Sequence, residues 1–192
     1  MDTLKWWQKT AVYQVYPRSF QDTTGSGEGD ISGITRHLDY LKALGIGAVW
    51  LTPLYPSPMV DNGYDISDYT AIDLRYGTMA DMEELIAEGK KRDIRIVMDL
   101  VYNHTSDRHY WFQESKQSRD NDKADWYIWR DAKADGSAPT NWRSIFGGSS
   151  WTWCEERQQY YLHTFAAEQP DLNWENSEVR QALYDAANFL AR

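Results

Sequence analysis

Three polar residues interrupt and end an apolar run that is otherwise typical of a buried strand. The segment Ile94–His104 begins with β-branched residues, Asp99 interrupts the run, and Asn103 and His104 end it. So little polar alternation fits a strand that is buried on both faces, as in a parallel sheet. A carboxylate in such a strand is costly unless it is paired or hydrogen-bonded. Asp99 is therefore either a structural residue satisfied by nearby backbone or part of a polar site at the carboxyl end of a strand, where α/β folds place their chemistry.

Oxygen-bearing side chains recur at alternate positions of a glycine-rich loop: Asp22, Thr24, Ser26, Glu28 and Asp30. This spacing is similar to that of a calcium-binding loop. Hydroxyl groups are weaker calcium ligands than carboxylates, so the affinity should be modest. A loop that simply turns the chain explains the same residues, and both interpretations stay open.

Aromatic residues are unusually frequent, with ten Trp and thirteen Tyr. Exposed aromatic rings beside carboxylates suit a sugar, which offers an apolar face for stacking and hydroxyls for hydrogen bonds. Aromatic residues also fill ordinary cores, so their number alone favours sugar binding only modestly.

Charge and composition argue against several partners and compartments. The net charge of −9, with no long basic run, disfavours nucleic acid and anionic membrane surfaces, which attract clustered Lys and Arg. We find neither a signal peptide nor a stretch of roughly 20 apolar residues that could span a membrane. The single cysteine, Cys154, cannot form an internal disulfide, and its aromatic neighbours favour a packing role over a nucleophilic one. We therefore expect a cytoplasmic protein.

Strand and helix patterns alternate along the first half of the chain. They predict strands over residues 11–16, 48–51 and 94–101 and helices over residues 32–44 and 80–91. Gly45 marks the end of the first helix, and Thr78 with Asp81 marks the start of the second. Each crossover is too long for a hairpin, so the strands should be parallel. The long, polar loops that follow the strands fit a (β/α) barrel with its site at the strand carboxyl ends.

The pattern changes to short runs after His104. The sequence predicts a β-hairpin from residues 150–154 and 160–165, and an amphipathic helix over residues 177–190. We interpret residues 105–174 as a small, irregular inserted subdomain.

Four segments, taken together, resemble the α-amylase superfamily of glycoside hydrolases (glycoside hydrolase family 13), in its branch of oligo-1,6-glucosidases, α-glucosidases and trehalose-6-phosphate hydrolases. They are Asn62–Asp65 (Asn-Gly-Tyr-Asp), Asp99–His104 (Asp-Leu-Val-Tyr-Asn-His), Asn141–Ser149, and Gln169–Asn173 (Gln-Pro-Asp-Leu-Asn). The resemblance covers essentially all 192 residues in the right order.

The resemblance implies an α/β fold that forms the N-terminal part of a (β/α)8 TIM barrel. About three β/α units would be present, with a small irregular α+β domain inserted after the third strand. Residues 1–104 would be the first part of the catalytic barrel, residues 105–174 the inserted subdomain, and residues 175–192 the start of the next barrel helix.

The resemblance also implies a retaining α-glucosidase that acts on short α-glucosides such as isomaltose, maltose, sucrose or trehalose 6-phosphate. Retaining hydrolysis needs two carboxyl groups about 5–5.5 Å apart. In the family these are an Asp on strand four and a Glu after strand five, both beyond Arg192. We therefore assign no catalytic residue here and expect the 192-residue chain alone to be inactive. The activity requires no cofactor, and a structural calcium in the glycine-rich loop stays an open alternative.

Family roles imply that this chain supplies half of a glucose pocket. Asp65 would bind the outer hydroxyls of the terminal glucose, Tyr64 would stack on its ring, and His104 would hydrogen-bond its 6-hydroxyl. The other residues that the resemblance assigns to the pocket or its surroundings are Asp99, Phe146, Phe165 and Gln169. His104 as a satisfied core residue, and the phenylalanines as plain packing, are the alternatives.

A second interpretation is that the chain is a non-catalytic sugar-binding or structural remnant.

The glycine-rich loop departs from that of many family members, which have Asn and Asp where this chain has Thr24 and Ser26. That departure weakens the calcium prediction and leaves the substrate open.

Overall fold

The chain contains two compact units, and the computed structural model describes residues 4–191 of it. One unit comprises Met1–Leu54 and Ala71–Asp99, and the other comprises Tyr55–Thr70 and Leu100–Arg192. The first contains a parallel sheet and the second an antiparallel one. Among residues 4–191, no helix has both the length and the apolar character needed to cross a membrane.

The first unit alternates strands and helices. Its elements are a 3-10 helix at Trp6–Gln8, β1 (Ala11–Val15), α1 (Pro17–Phe20), α2 (Ile31–Arg36), α3 (Leu38–Ala43), β2 (Ile46–Leu51), α4 (Met79–Lys91) and β3 (Arg95–Met98). The strands lie in the order β1-β2-β3, and each neighbouring pair is parallel. This confirms the parallel arrangement that the long crossovers predict.

One face of the parallel sheet packs against helices to form the core of this unit. Val15, Leu51 and Met98 lie in register across the three strands. They join a hydrophobic cluster that includes Leu38 of α3 and Leu85 of α4, both fully buried. Truncating such a leucine to alanine typically lowers the free energy of unfolding by about 2–5 kcal/mol. The hydrophobic cluster therefore holds the carboxyl ends of the three strands in place.

The single helix predicted over residues 32–44 is wrong, because the segment forms two helices. His37 lies between α2, which ends at Arg36, and α3, which begins at Leu38, and its backbone lies outside the helical region at φ −101° and ψ 4°. The ring Nδ1 of His37 donates to the Gly33 carbonyl at 2.8 Å. A local side-chain hydrogen bond of this kind competes with the regular helical ladder.

The strand predicted over residues 94–101 is shorter than expected and is not buried on both faces. Ile96 and Met98 of β3 pack on the core, whereas Arg95 and Val97 are exposed. β3 is the outer strand of the described sheet, and the hydrophobic core covers the face that carries Ile96 and Met98.

Helix α4 begins at the predicted capping box. The Thr78 hydroxyl accepts from the Asp81 N–H at 3.3 Å, and the Asp81 carboxylate accepts from the Thr78 N–H at 2.7 Å. Met82 and Leu85 of the helix are buried, whereas Ile86 is exposed. Gly89 completes the buried stripe instead.

The second unit is built around a small antiparallel sheet. Its elements are α5 (Tyr110–Ser115), β4 (Trp129–Arg130), β5 (Trp151–Cys154), β6 (Gln159–Leu162) and α6 (Ser177–Leu190). β5 and β6 pair as the predicted hairpin, and β4 pairs with the other edge of β6. Helix α6 has the predicted bounds, with Val179 and Leu183 buried.

Aromatic residues fill the core of the second unit. The Phe112 ring lies 5.6 Å from that of Trp129 and 5.1 Å from that of Tyr161, centroid to centroid, and all three residues are buried. Cys154 is buried as well, and burial raises the pKa of its thiol, which favours the packing role. Much of the aromatic excess therefore serves packing.

His109 is a buried titratable residue of the second unit. It caps α5, where its Nδ1 accepts from the Trp111 N–H at 3.2 Å, and its ring centroid lies 4.3 Å from that of Trp111. Burial lowers the pKa of His109 to about 4. An unfolded histidine titrates near a pKa of about 6.5 and so takes up its proton first as the pH falls.

We expect the free energy of unfolding to fall by up to about 3 kcal/mol through this group between pH ~6.5 and ~4, with no further loss below its folded pKa. Urea denaturation at a series of pH values measures this. The matched variant His109→Asn keeps a capping side chain without a titrating one, and its stability should vary less with pH in that window. An identical slope in both proteins would contradict the assignment.

Candidate functional site

Two of the recognised segments lie side by side in the second unit. His104 and Asp171 form an isolated antiparallel bridge, and the Leu172 N–H donates to the Asn103 carbonyl at 2.9 Å. The bridge joins the Asp-Leu-Val-Tyr-Asn-His segment to the Gln-Pro-Asp-Leu-Asn segment, which are distant in the sequence. Their polar side chains therefore converge at one place.

His104 lies at the centre of a buried polar network. Only 4% of its surface is exposed. Its Nε2 lies 3.1 Å from the Tyr64 carbonyl oxygen, and its Nδ1 lies 3.1 Å from Asn103 Nδ2. Burial lowers the pKa of the imidazole, and the Tyr64 carbonyl opposes this shift. His104 is therefore neutral at pH 7, with one donor nitrogen and one acceptor nitrogen.

Gln169 is fully buried beside His104. Its Oε1 accepts from the Ala166 N–H at 2.9 Å, and its Nε2 donates to the Asp61 carboxylate at 3.0 Å. The same Nε2 lies 3.0 Å from His104 Nε2. Gln169 and His104 therefore belong to one buried network.

The Asp65 carboxylate orders its own loop. Asp65 is fully buried, and it accepts from the Ser57 hydroxyl at 2.9 Å, the Val60 N–H at 2.9 Å and the Asp61 N–H at 3.1 Å. The neighbouring Tyr64 is half-buried and contributes its backbone carbonyl to the network. Sugar binding by Asp65 and ring stacking by Tyr64 stay predictions.

Two phenylalanines flank the polar network. The ring of Phe165 lies 5.2 Å from that of His104, centroid to centroid, and 5.9 Å from that of Phe146. Phe165 is half-buried, whereas 60% of Phe146 is exposed. An exposed ring next to buried polar groups offers the apolar face that a sugar requires.

Asp99 belongs to the first unit, where it directly follows β3 and is half-buried. The other predicted substrate-binding residues belong to the second unit, and they are Tyr64, Asp65, His104, Phe146, Phe165 and Gln169.

Three side chains of the network were not among the predicted site residues. Asn103 Nδ2 donates to the Asp171 carboxylate at 3.0 Å as well as contacting His104, and Asp61 accepts from Gln169. Asn103 and Asp171 lie within the recognised segments, and that position in the sequence could have marked them as candidate site residues. No sequence pattern distinguishes Asp61.

The glycine-rich loop of the first unit does not gather its acidic side chains into a metal site. The Asp22 carboxylate accepts from the loop's own backbone N–H groups, which lowers its pKa to about 2. The Asp30 carboxylate caps α2, and Glu28 pairs with Arg18 at 2.9 Å. Among the described residues, no group of three or more His, Cys, Asp or Glu side chains is arranged to hold a metal.

The network suits recognition of a polyhydroxylated ligand more than bond cleavage. It combines a neutral imidazole, an amide and carboxylates with aromatic rings. The carboxylates of Asp61, Asp65 and Asp171 each accept hydrogen bonds from protein donors. We therefore assign neither a nucleophile nor a general acid among them.

Comparison with known proteins identifies the family. The profile of the alpha-amylase catalytic domain matches residues 14–192. The chain belongs to the alpha-amylase family. The family's catalytic domain is a TIM barrel, and the family assignment confirms the predicted resemblance and its α/β class.

Curated members of the alpha-amylase family match nearly the whole chain. The oligo-1,6-glucosidase of Heyndrickxia coagulans is 56% identical over 185 residues, which are 96% of this chain and 33% of that protein. The trehalose-6-phosphate hydrolase of Escherichia coli (strain K12) is 55% identical over 186 residues, which are 97% of this chain and 33% of that protein. The chain therefore spans about a third of the length of these relatives.

A solved structure of the family shows the same backbone. The isomaltulose synthase SmuA from Protaminobacter rubrum superposes with a TM-score of 0.96 at 56% identity, over 98% of this chain and 34% of that one.

The loop around Asp65 gives a direct test of the buried carboxylate. Asp65→Ala leaves three donors without an acceptor, and we expect the free energy of unfolding to fall by about 1–3 kcal/mol. Asp65→Asn retains an acceptor oxygen and should lose less. Urea denaturation of both variants measures the difference. Wild-type stability in Asp65→Ala would mean that these donors find other partners.

Proposed function

We propose that the chain is the N-terminal part of a retaining α-glucosidase and supplies half of its glucose pocket. One observation carries the proposal. In a member of the alpha-amylase family, the chain brings His104 and Gln169 of two separate segments into one buried network beside Phe165.

The network supports a division of roles within the pocket. His104 hydrogen-bonds the 6-hydroxyl of the terminal glucose, Tyr64 stacks on its ring, and Asp65 binds its outer hydroxyls. Phe146 offers an exposed apolar face for sugar C–H groups. The remaining residues of the proposed pocket are Asp99, which holds its charges in place, Phe165, which lines it, and Gln169, which lies near it. Such desolvated polar contacts reward the correct substrate strongly, because a wrong one leaves them unpaired.

The proposed architecture is the N-terminal part of a (β/α)8 barrel. About three β/α units form residues 1–104, an irregular inserted subdomain forms residues 105–174, and residues 175–192 begin the next barrel helix. Parallel β1-β2-β3 and the separate antiparallel sheet support this division.

The proposed chemistry is hydrolysis from the non-reducing end through a nucleophilic Asp and an acid–base Glu that lie beyond Arg192. The two carboxyl groups of a retaining enzyme stand about 5–5.5 Å apart. Alone, the 192-residue chain would release no glucose.

The proposed substrates are short α-glucosides. Names of the relatives include oligo-1,6-glucosidase and trehalose-6-phosphate hydrolase, and one solved relative, the isomaltulose synthase of Erwinia rhapontici, is described with sucrose as its natural substrate. Isomaltose, maltose, sucrose and trehalose 6-phosphate are therefore the substrates to compare. We propose that the enzyme is cytoplasmic, requires no cofactor, and binds neither nucleic acid nor a membrane.

Activity of the full-length protein tests the proposal. We expect it to release glucose from at least one of the four substrates. We expect His104→Ala to lower kcat/KM by about 10- to 100-fold, the cost of one buried hydrogen bond to the substrate. Lys133→Ala, at an exposed position, is the matched control. Failure to cleave any of the four sugars would exclude the proposed function.

A second candidate is a non-catalytic sugar-binding or structural remnant. The complete burial of Asp65, with three protein donors on its carboxylate, favours it. Glucose binding measured by calorimetry, with no hydrolysis by the full-length protein, would support this candidate over the first.

Calcium at the glycine-rich loop remains a prediction from the residue spacing. Because the Asp22 and Asp30 carboxylates already accept backbone hydrogen bonds, binding would require them to change partners. We expect an affinity no tighter than about millimolar. Calorimetric titration with calcium measures it, with Asp22→Asn as the control. A micromolar affinity that this substitution abolishes would contradict the expected weakness.

A further inference from the structure

We propose that Asn103 and Asp171 are positioning residues that keep the proton of His104 on Nε2, so that this nitrogen always acts as a hydrogen-bond donor. The inference rests on the proposed function in one respect only, which is that His104 faces a bound sugar.

Asp171 is the fixed end of this arrangement. Its Oδ1 accepts from the Thr164 N–H at 3.0 Å, and its Oδ2 accepts from the Thr164 hydroxyl. The residue is 5% exposed. Burial raises the pKa of the carboxyl group, and the Thr164 donors oppose that shift. With both oxygens engaged, the carboxylate is held in one orientation and can only accept.

Asp171 decides which way the Asn103 amide faces. Asn103 Nδ2 lies 3.0 Å from Asp171 Oδ1. The reversed amide would place two acceptor oxygens against each other with no proton between them. The second hydrogen of the same Nδ2 is directed at His104 Nδ1, 3.1 Å away. Asn103 itself is exposed, but the side chains that it joins are both buried.

The Asn103 amide in turn decides the state of the imidazole. A ring nitrogen that receives an N–H cannot carry its own proton, so His104 Nδ1 is the acceptor and Nε2 carries the proton. At Nε2 two neighbours oppose each other. The Tyr64 carbonyl, 3.1 Å away, can only accept and favours a proton on Nε2, whereas Gln169 Nε2, 3.0 Å away, is a donor that also contacts Asp61. The contact of Asn103 with Nδ1 therefore decides the tautomer.

A fixed Nε2–H has a consequence for recognition. In the proposed pocket, a sugar hydroxyl near Nε2 would share this proton with the Tyr64 carbonyl and must direct its own proton to another acceptor. The opposite tautomer would set Nδ1–H against the Asn103 amide hydrogen, two donors with no acceptor between them at a buried ring, which is costly. Asn103 and Asp171 would thereby influence sugar recognition without touching the sugar.

Nitrogen NMR of the imidazole tests the inference, since the two tautomers have distinct ¹⁵N shifts. The sample is the full-length protein with ¹⁵N-labelled histidine, at a pH above the range in which free histidine titrates, and His104→Gln identifies the signal. We expect the wild type to be Nε2-protonated. Asn103→Asp places an acceptor at Nδ1 and should move the proton there. Asp171→Asn keeps an acceptor for the Asn103 amide and should preserve the wild-type tautomer. Asp171→Ala removes that acceptor and should give a mixture of the two His104 tautomers.

The kinetic expectation for Asn103→Asp is a rise of about tenfold in KM with a smaller change in kcat, and Asp171→Asn should raise KM less than Asp171→Ala does. A wild-type ring protonated on Nδ1, or an unchanged tautomer in Asp171→Ala, would overturn the inference. The spectra are recorded without substrate, so they decide the tautomer even if no sugar is hydrolysed. If Asn103→Asp fails to fold, the wild type and the two Asp171 variants still decide the question.

Discussion

The backbone bridge between His104 and Asp171 is the contact on which the candidate site depends. It holds two distant segments in register, so that Asn103, His104, Gln169 and Asp171 face one another. A buried network of this kind is stable only when its members are satisfied, because an unpaired polar group inside a protein loses its hydration without compensation. In the proposed function, recognition and folding are therefore coupled, because the groups proposed to bind sugar hydroxyls also hold the second unit together.

The two units bury different types of apolar side chain in their cores. In the first, aliphatic residues on one face of a parallel sheet pack under helices. In the second, short strands offer little aliphatic area, and stacked or edge-on aromatic rings such as Phe112 and Trp129 supply the buried surface. Large rings bury much area per residue, which suits a unit with few regular elements. This accounts for the buried tryptophans of the second unit, which are Trp111, Trp126, Trp129 and Trp151.

Loop carboxylates show how one residue type serves different ends. Asp22 and Asp30 accept backbone N–H groups in the glycine-rich loop and at the start of α2. Asp65 does the same for its own loop from a fully buried position. A spacing of acids that is similar to a metal site can therefore arise from loop closure alone, since backbone donors and metal ions compete for the same oxygens.

The sequence by itself determined the family, because its motifs occur in the family's order along the chain. It also determined the alternation of strands and helices and the hairpin of the second unit through local periodicity, and the capping box at Thr78 through local hydrogen bonds. Only the tertiary structure decided the break at His37, the exposure of Val97, the inward turn of Asp65 and the meeting of Asn103 with Asp171. Each of these depends on which groups are adjacent in space. Adjacency between distant segments is fixed by packing and pairing, and no local pattern encodes it.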